Sequence, residues 1–75
     1  MSNTYDLSGV HGAEVYRTLP PGLRLKLRDG AIARIIENPG DGAYIQTEIV
    51  EASDEPDRVG TEEMVYFLEV EGVVE

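Results

Sequence analysis

Leu23, Leu25 and Leu27 alternate with Arg24, Lys26 and Arg28, the period-two pattern of a strand that buries one face and wets the other. Asp29-Gly30 follows as a turn signal, and Ala31, Ala33 and Ile35 then alternate with Ile32, Arg34 and Ile36. Two hairpin registers compete. A two-residue Asp29-Gly30 turn sets Leu25 opposite Arg34. A three-residue loop, Arg28-Asp29-Gly30 with Gly30 left-handed, sets Leu27, Leu25 and Leu23 opposite Ala31, Ala33 and Ile35. A slip of one residue turns every side chain to the other face, so the expected register is the second, which keeps one face wholly apolar.

Asn38-Pro39-Gly40-Asp41-Gly42 is dense in turn formers and predicts a tight connection. Beyond it Ala43, Ile45, Thr47 and Ile49 alternate with Tyr44, Gln46, Glu48 and Val50, which predicts a strand over Ala43–Glu51. Ala52–Arg58 is a polar loop broken by Pro56, and Gly60 ends it. Met64–Val70 is rich in strand formers and apolar on both faces at first, as in a central strand, with a short helix over Thr61–Leu68 as the competing assignment. Glu71-Gly72 is expected to turn into a last apolar pair, Val73-Val74. At the other end Val15–Leu19 has the composition of a strand, Pro20-Pro21-Gly22 forces an extended or turning path, and Met1–Asp6 is expected to be disordered.

Short strands at close spacing, joined by glycine turns, bend a sheet on itself. The expected fold is all-β: a small closed or partly open barrel of four to five antiparallel strands. From Gly22 to Glu75 this run of strands, with its Glu71-Gly72 turn and valine pair, resembles an SH3-like barrel. That resemblance is one of fold, with no family motif attached, and fold does not give function. Residues 1–14 are read as a flexible N-terminal segment and 15–75 as the barrel domain.

Seventy-five residues make one small domain that buries only about 60–65 % of its unfolded surface, so the core is thin and a partner is expected to supplement it. Charge is divided along the chain. The first 36 residues hold five basic and three acidic side chains, the last 39 hold one and twelve, and the net charge is −9. Such a balance repels phosphate backbones and anionic membranes at long range, so neither is an expected partner. With no cysteine there is no disulfide, thiolate metal site or thiol nucleophile, and with no signal-like or membrane-length apolar run an intracellular, cytoplasmic protein is expected.

No catalytic set emerges. The single histidine, His11, lies near Ser8, Asp6 and Glu14, but the glycines beside it do not suggest the rigid scaffold that a triad needs. One histidine without cysteine does not satisfy zinc. The acids of Asp54-Glu55-Pro56-Asp57, with Glu51, Glu62 and Glu63, lack the ladder spacing of a calcium loop. Gly40 and Gly42 do not form a phosphate cradle, because no lysine and no helix start follow. The expectation is a protein that is not an enzyme and has no cofactor, metal or small-molecule substrate.

The outward face of the first hairpin stands out instead. Arg24, Lys26 and Arg34 project together, with Arg28 at the turn and Ile32 and Ile36 among them. Carboxylates on neighbouring strands (Glu48, Glu51, Glu62 or Glu63) are expected to neutralise them, and otherwise the stripe is open to an anionic partner. The leading expectation is an interaction module or accessory subunit that binds another protein or its own copy through an exposed apolar strand face. Arg24, Lys26, Arg28, Arg34, Tyr66 and Phe67 are its candidate contacts. Two alternatives use charge alone: a nucleic-acid-binding barrel acting through the basic stripe, and an acidic phosphate mimic that occupies a basic site through Glu62 and Glu63.

Overall fold

The computed structural model describes Leu7 and residues 11–74. Met1–Asp6, expected to be disordered, lie outside them. A short helix α1 (Gly12–Tyr16) precedes strands β1 (Arg24–Leu27), β2 (Ile32–Glu37) and β3 (Tyr44–Glu51). A 3₁₀ turn (Pro56–Arg58) leads to β4 (Glu62–Tyr66), and a second (Phe67–Glu69) leads to β5 (Val70–Val74). The strands form one antiparallel sheet in the order β4-β3-β2-β1-β5, so the last strand returns to lie beside the first. No hydrogen-bonded pairing joins β4 to β5. Of the two closures expected, the protein adopts the partly open barrel.

The β1–β2 register is the one that keeps the interior apolar. Leu25 faces Ala33, the Leu27 amide donates to the Ala31 carbonyl at 2.8 Å, and the Ile35 amide donates to the Leu23 carbonyl at 2.8 Å. Gly30 takes φ +95°, a left-handed value that a side chain resists, and Asp29 Oδ1 accepts the Ala31 amide at 2.9 Å to set the turn. Pro20-Pro21-Gly22-Leu23 is also a turn: proline leads, Gly22 takes φ +92°, and the Leu23 amide donates to the Pro20 carbonyl at 3.4 Å.

Three local expectations are corrected. Val15–Leu19 is not a strand. The chain winds into α1 from Gly12 to Tyr16, which delivers Tyr16 to the interior, and the turn that follows buries Leu19. Asn38 holds this end, its Nδ2 donating to the carbonyls of both Tyr16 and Leu19 at 3.0 Å. Leu7 and Val15 pack against the same core, so the descent onto the sheet begins upstream of residue 15.

Met64–Val70 is neither one central strand nor part of an α-helix. Val65 points inward while Met64 and Tyr66 are exposed, the alternation of a strand with one wet face, and β4 lies at the sheet edge. The chain then bends through Phe67–Glu69. Glu71-Gly72 is likewise not a turn; it lies within β5, where a register shift beside Lys26 and Leu27 absorbs an extra residue and lets the strand run on to Val74.

The core unites Tyr16, Leu19, Leu25, Leu27, Ile35, Ile45, Ile49, Val65 and Val70 with the small residues Ala31, Ala33 and Ala52. Thr47 is buried among them, and its hydroxyl donates to the Glu63 carbonyl at 2.9 Å, so the polar atom is satisfied.

Candidate interaction surface

The outward side chains form a charge gradient across the sheet. Val74, Arg24, Arg34, Glu48 and Glu62 are successive neighbours on β5, β1, β2, β3 and β4. Arg34 Nη2 contacts Glu48 Oε1 at 2.7 Å, so one of the carboxylates anticipated from the sequence does cover it. Lys26 Nζ lies 3.7 Å from Glu71, which β5 brings beside β1 where the sequence pattern suggests a turn. Arg28 Nε donates to the Leu68 carbonyl at 2.9 Å. Arg24 is placed opposite Arg34 and makes no ion pair among the described residues. The basic stripe is therefore largely occupied from within the chain.

Toward β4 the same face becomes apolar. Tyr44 and Tyr66 are cross-strand partners whose rings lie 5.0 Å apart at a tilt of 48°, a favourable aromatic geometry. Met64, opposite Gln46, is 54 % exposed, and Ile36 is exposed on β2 beyond them. Tyr66 thus takes the outward position considered for it. Phe67 does not share that face: it is half-buried, with its ring 5.3 Å from Tyr16. Tyr44 and Met64 lie outside the candidate contacts that the sequence offers; in the structure Tyr44 alternates with the buried Ile45, Thr47 and Ile49 and so faces outward.

Beside this patch runs the outer backbone edge of β4, which pairs with no strand among the described residues. The Phe67 amide donates to the Ala43 carbonyl at 2.8 Å, and the Ile49 amide donates to the Thr61 carbonyl at 2.9 Å, so the odd-numbered residues of β4 bond to β3. Antiparallel alternation then directs the backbones of Glu62 and Met64 away from the sheet. The Tyr66 amide faces the same way and donates to Glu69 Oε1 at 3.2 Å, which closes the edge at that end.

Carboxylates surround the patch. Gln46 Nε2 donates to Glu62 Oε1 at 2.8 Å, and Glu62, Glu37 and Glu69 make no ion pair among the described residues. Glu63 points the other way and is held by Arg58. Arg58 also reaches Asp29 Oδ2 at 2.7 Å, tying the first hairpin to the loop before β4. Glu63 titrates below its ordinary range because of the Arg58 hydrogen bonds; Asp29 does so because of the Ala31 amide first and Arg58 second. Burial pushes the Tyr16 hydroxyl upward, aided by Glu69 and Asp41.

His11 Nδ1 lies 3.4 Å from Glu14 on an exposed helical turn. Among the described residues no group of three histidine, cysteine or acidic side chains is arranged to hold a metal ion. A cavity lined by Asp29, Ala52, Ser53, Asp54, Glu55 and Arg58 has a volume of ≈ 10 Å³, room for about one water molecule. No helix among the described residues is long and apolar enough to cross a membrane. No family model, curated protein or solved structure matches the chain.

Proposed function

We propose that this protein is a non-enzymatic interaction module that docks a protein partner on the outward face of β3 and β4. The observation that carries this is the exposed set of Met64 and Tyr66 on the edge strand β4 and Tyr44 on its neighbour β3. Aromatic and methionine side chains are the types enriched where proteins meet, and an apolar patch rimmed by charge favours contact over solvation. A thin core adds motive for a partner. The basic-stripe alternative loses ground because Glu48, Glu71 and the Leu68 carbonyl already engage Arg34, Lys26 and Arg28.

The test is site-specific photocrosslinking in the native host, with the photoreactive residue placed at Met64 or, as control, at Asp54 in the polar loop. A discrete protein adduct from position 64 and none from position 54 is expected. No adduct at position 64, or the same adducts from both, overturns the proposal.

A further inference from the structure

Resting on that docking face, we infer that the partner is an extended cationic segment that adds to β4 as a further strand. The available edge is short and defined. Glu62 and Met64 offer their amides and carbonyls away from β3, while the Glu69 carboxylate takes the Tyr66 amide and ends the free stretch. A partner strand of about five residues covers that window.

Its side chains follow from what they meet. The position across from Glu62 faces a carboxylate that accepts the Gln46 amide and makes no ion pair among the described residues, so a guanidinium or ammonium group fits there. The position across from Met64 touches a flexible thioether and takes an aliphatic group. The position across from Tyr66 lies beside the Tyr44–Tyr66 rings, which again attract a cation, and Glu69 stands close to the same end of the strand. The result is a cation-x-aliphatic-x-cation segment.

A second copy of this chain fits less well. Twofold pairing of β4 about Met64 would set Glu62 opposite Tyr66 of the other copy at both ends, supply no cation to Glu62, and bring together two chains of net charge −9.

The proposal is tested by titrating the full-length ¹⁵N-labelled protein with the peptide acetyl-Ser-Arg-Thr-Val-Thr-Arg-Ser-amide, with a control peptide bearing glutamate for both arginines. Expected are amide shifts centred on residues 62–66 and 44–46, at least tenfold slower hydrogen exchange at the Glu62 and Met64 amides at saturation, and weaker binding as salt rises. Met64→Pro removes an amide that the fold does not use and is expected to weaken binding at least fivefold. Should that variant not fold, Glu62→Lys, on an exposed side chain, is expected to weaken it to the same degree.

Equal shifts with both peptides, no binding, or binding indifferent to these variants overturns strand addition by a cationic segment. So does sedimentation equilibrium that shows a dimer abolished by Met64→Lys. A protein adduct at position 64 together with a failed peptide titration sinks this inference and leaves the docking face standing; loss of the adduct removes both.

Discussion

Arg58 and Glu63 meet fork to fork, Nε reaching Oε2 at 2.7 Å and Nη2 reaching Oε1 at 2.8 Å. With Nη1 on Asp29, the one cation of the acidic half joins the first hairpin, the polar loop and β4. Charge-assisted hydrogen bonds of this partly buried kind contribute about 1.5–3 kcal/mol each, and a planar fork is not replaced by an ammonium group. Arg58→Met is expected to destabilise the fold by about 2–4 kcal/mol in urea unfolding, with Arg58→Lys recovering less than half of it. Losses under about 0.5 kcal/mol, the level of a surface pair, would show that the fork is idle in solution.

Acid stability follows from the same contacts. Asp29 and Glu63 are held below their ordinary values of 3.8 and 4.5, so in acid the unfolded chain binds more protons than the folded one. The stabilisation is complete above about pH 4.5 and is lost as pH falls through the depressed folded values. Unfolding free energy measured between pH 6 and pH 2 is expected to fall, and in Arg58→Met to fall less steeply. A residual slope should persist in the variant, because the Ala31 amide still lowers Asp29. Parallel profiles for the two proteins would contradict this.

Tyr16 donates its hydroxyl to the Val65 carbonyl at 2.8 Å across 49 residues of chain, which fastens α1 to β4. Tyr16→Phe is expected to cost about 0.5–1.5 kcal/mol. The native hydroxyl titrates above its ordinary value of 10.0, so its stabilising contribution is present below that value and declines as pH rises above it. The variant should therefore lose less stability than the parent between pH 9 and pH 12, as read by circular dichroism.

Arg24 and Arg34 are direct neighbours on the outward face, and like charges in that relation repel. Arg24→Glu is expected to be neutral or to stabilise by about 0.2–1 kcal/mol, whereas Arg34→Glu places a carboxylate against Glu48 and should destabilise by a similar amount. Thermal unfolding at low salt distinguishes the two, and the difference should shrink at 1 M salt. Destabilisation by Arg24→Glu would mean that Arg24 has a partner of its own.

Gly30 has open space where a Cβ would stand, so a substitution there is strained by its φ of +95° and not by crowding. Gly30→Ala is expected to lose about 1–3 kcal/mol, read as a lower urea midpoint at unchanged slope. An unchanged midpoint would place the turn in another conformation.

The first hairpin was legible because everything it needs is local: three leucines, two alanines and Ile35 at period two, and a glycine at the only place a left-handed residue suits the register. The β3 interior was legible for the same reason, in Ile45, Thr47 and Ile49. The contents of α1 were not, since Val15 and Tyr16 carry strand propensity and Tyr16 turns inward only against Phe67 and Val65, residues remote in the chain. Met64 was misplaced because an apolar run does not reveal whether its strand is central or at an edge.

Alternation, turn residues and charge distribution thus determined by themselves an antiparallel β fold with one apolar and one charged face on its first hairpin, since these depend on interactions a few residues apart. Only the tertiary structure decided that β5 returns to β1 and leaves β4 at the sheet edge, that Arg58 spends its charge on Asp29 and Glu63, and that Tyr44, Met64 and Tyr66 share one exposed face. Strand order and long-range ion pairs bring together groups tens of residues apart, and no local periodicity encodes which of several similar carboxylates or edges will meet.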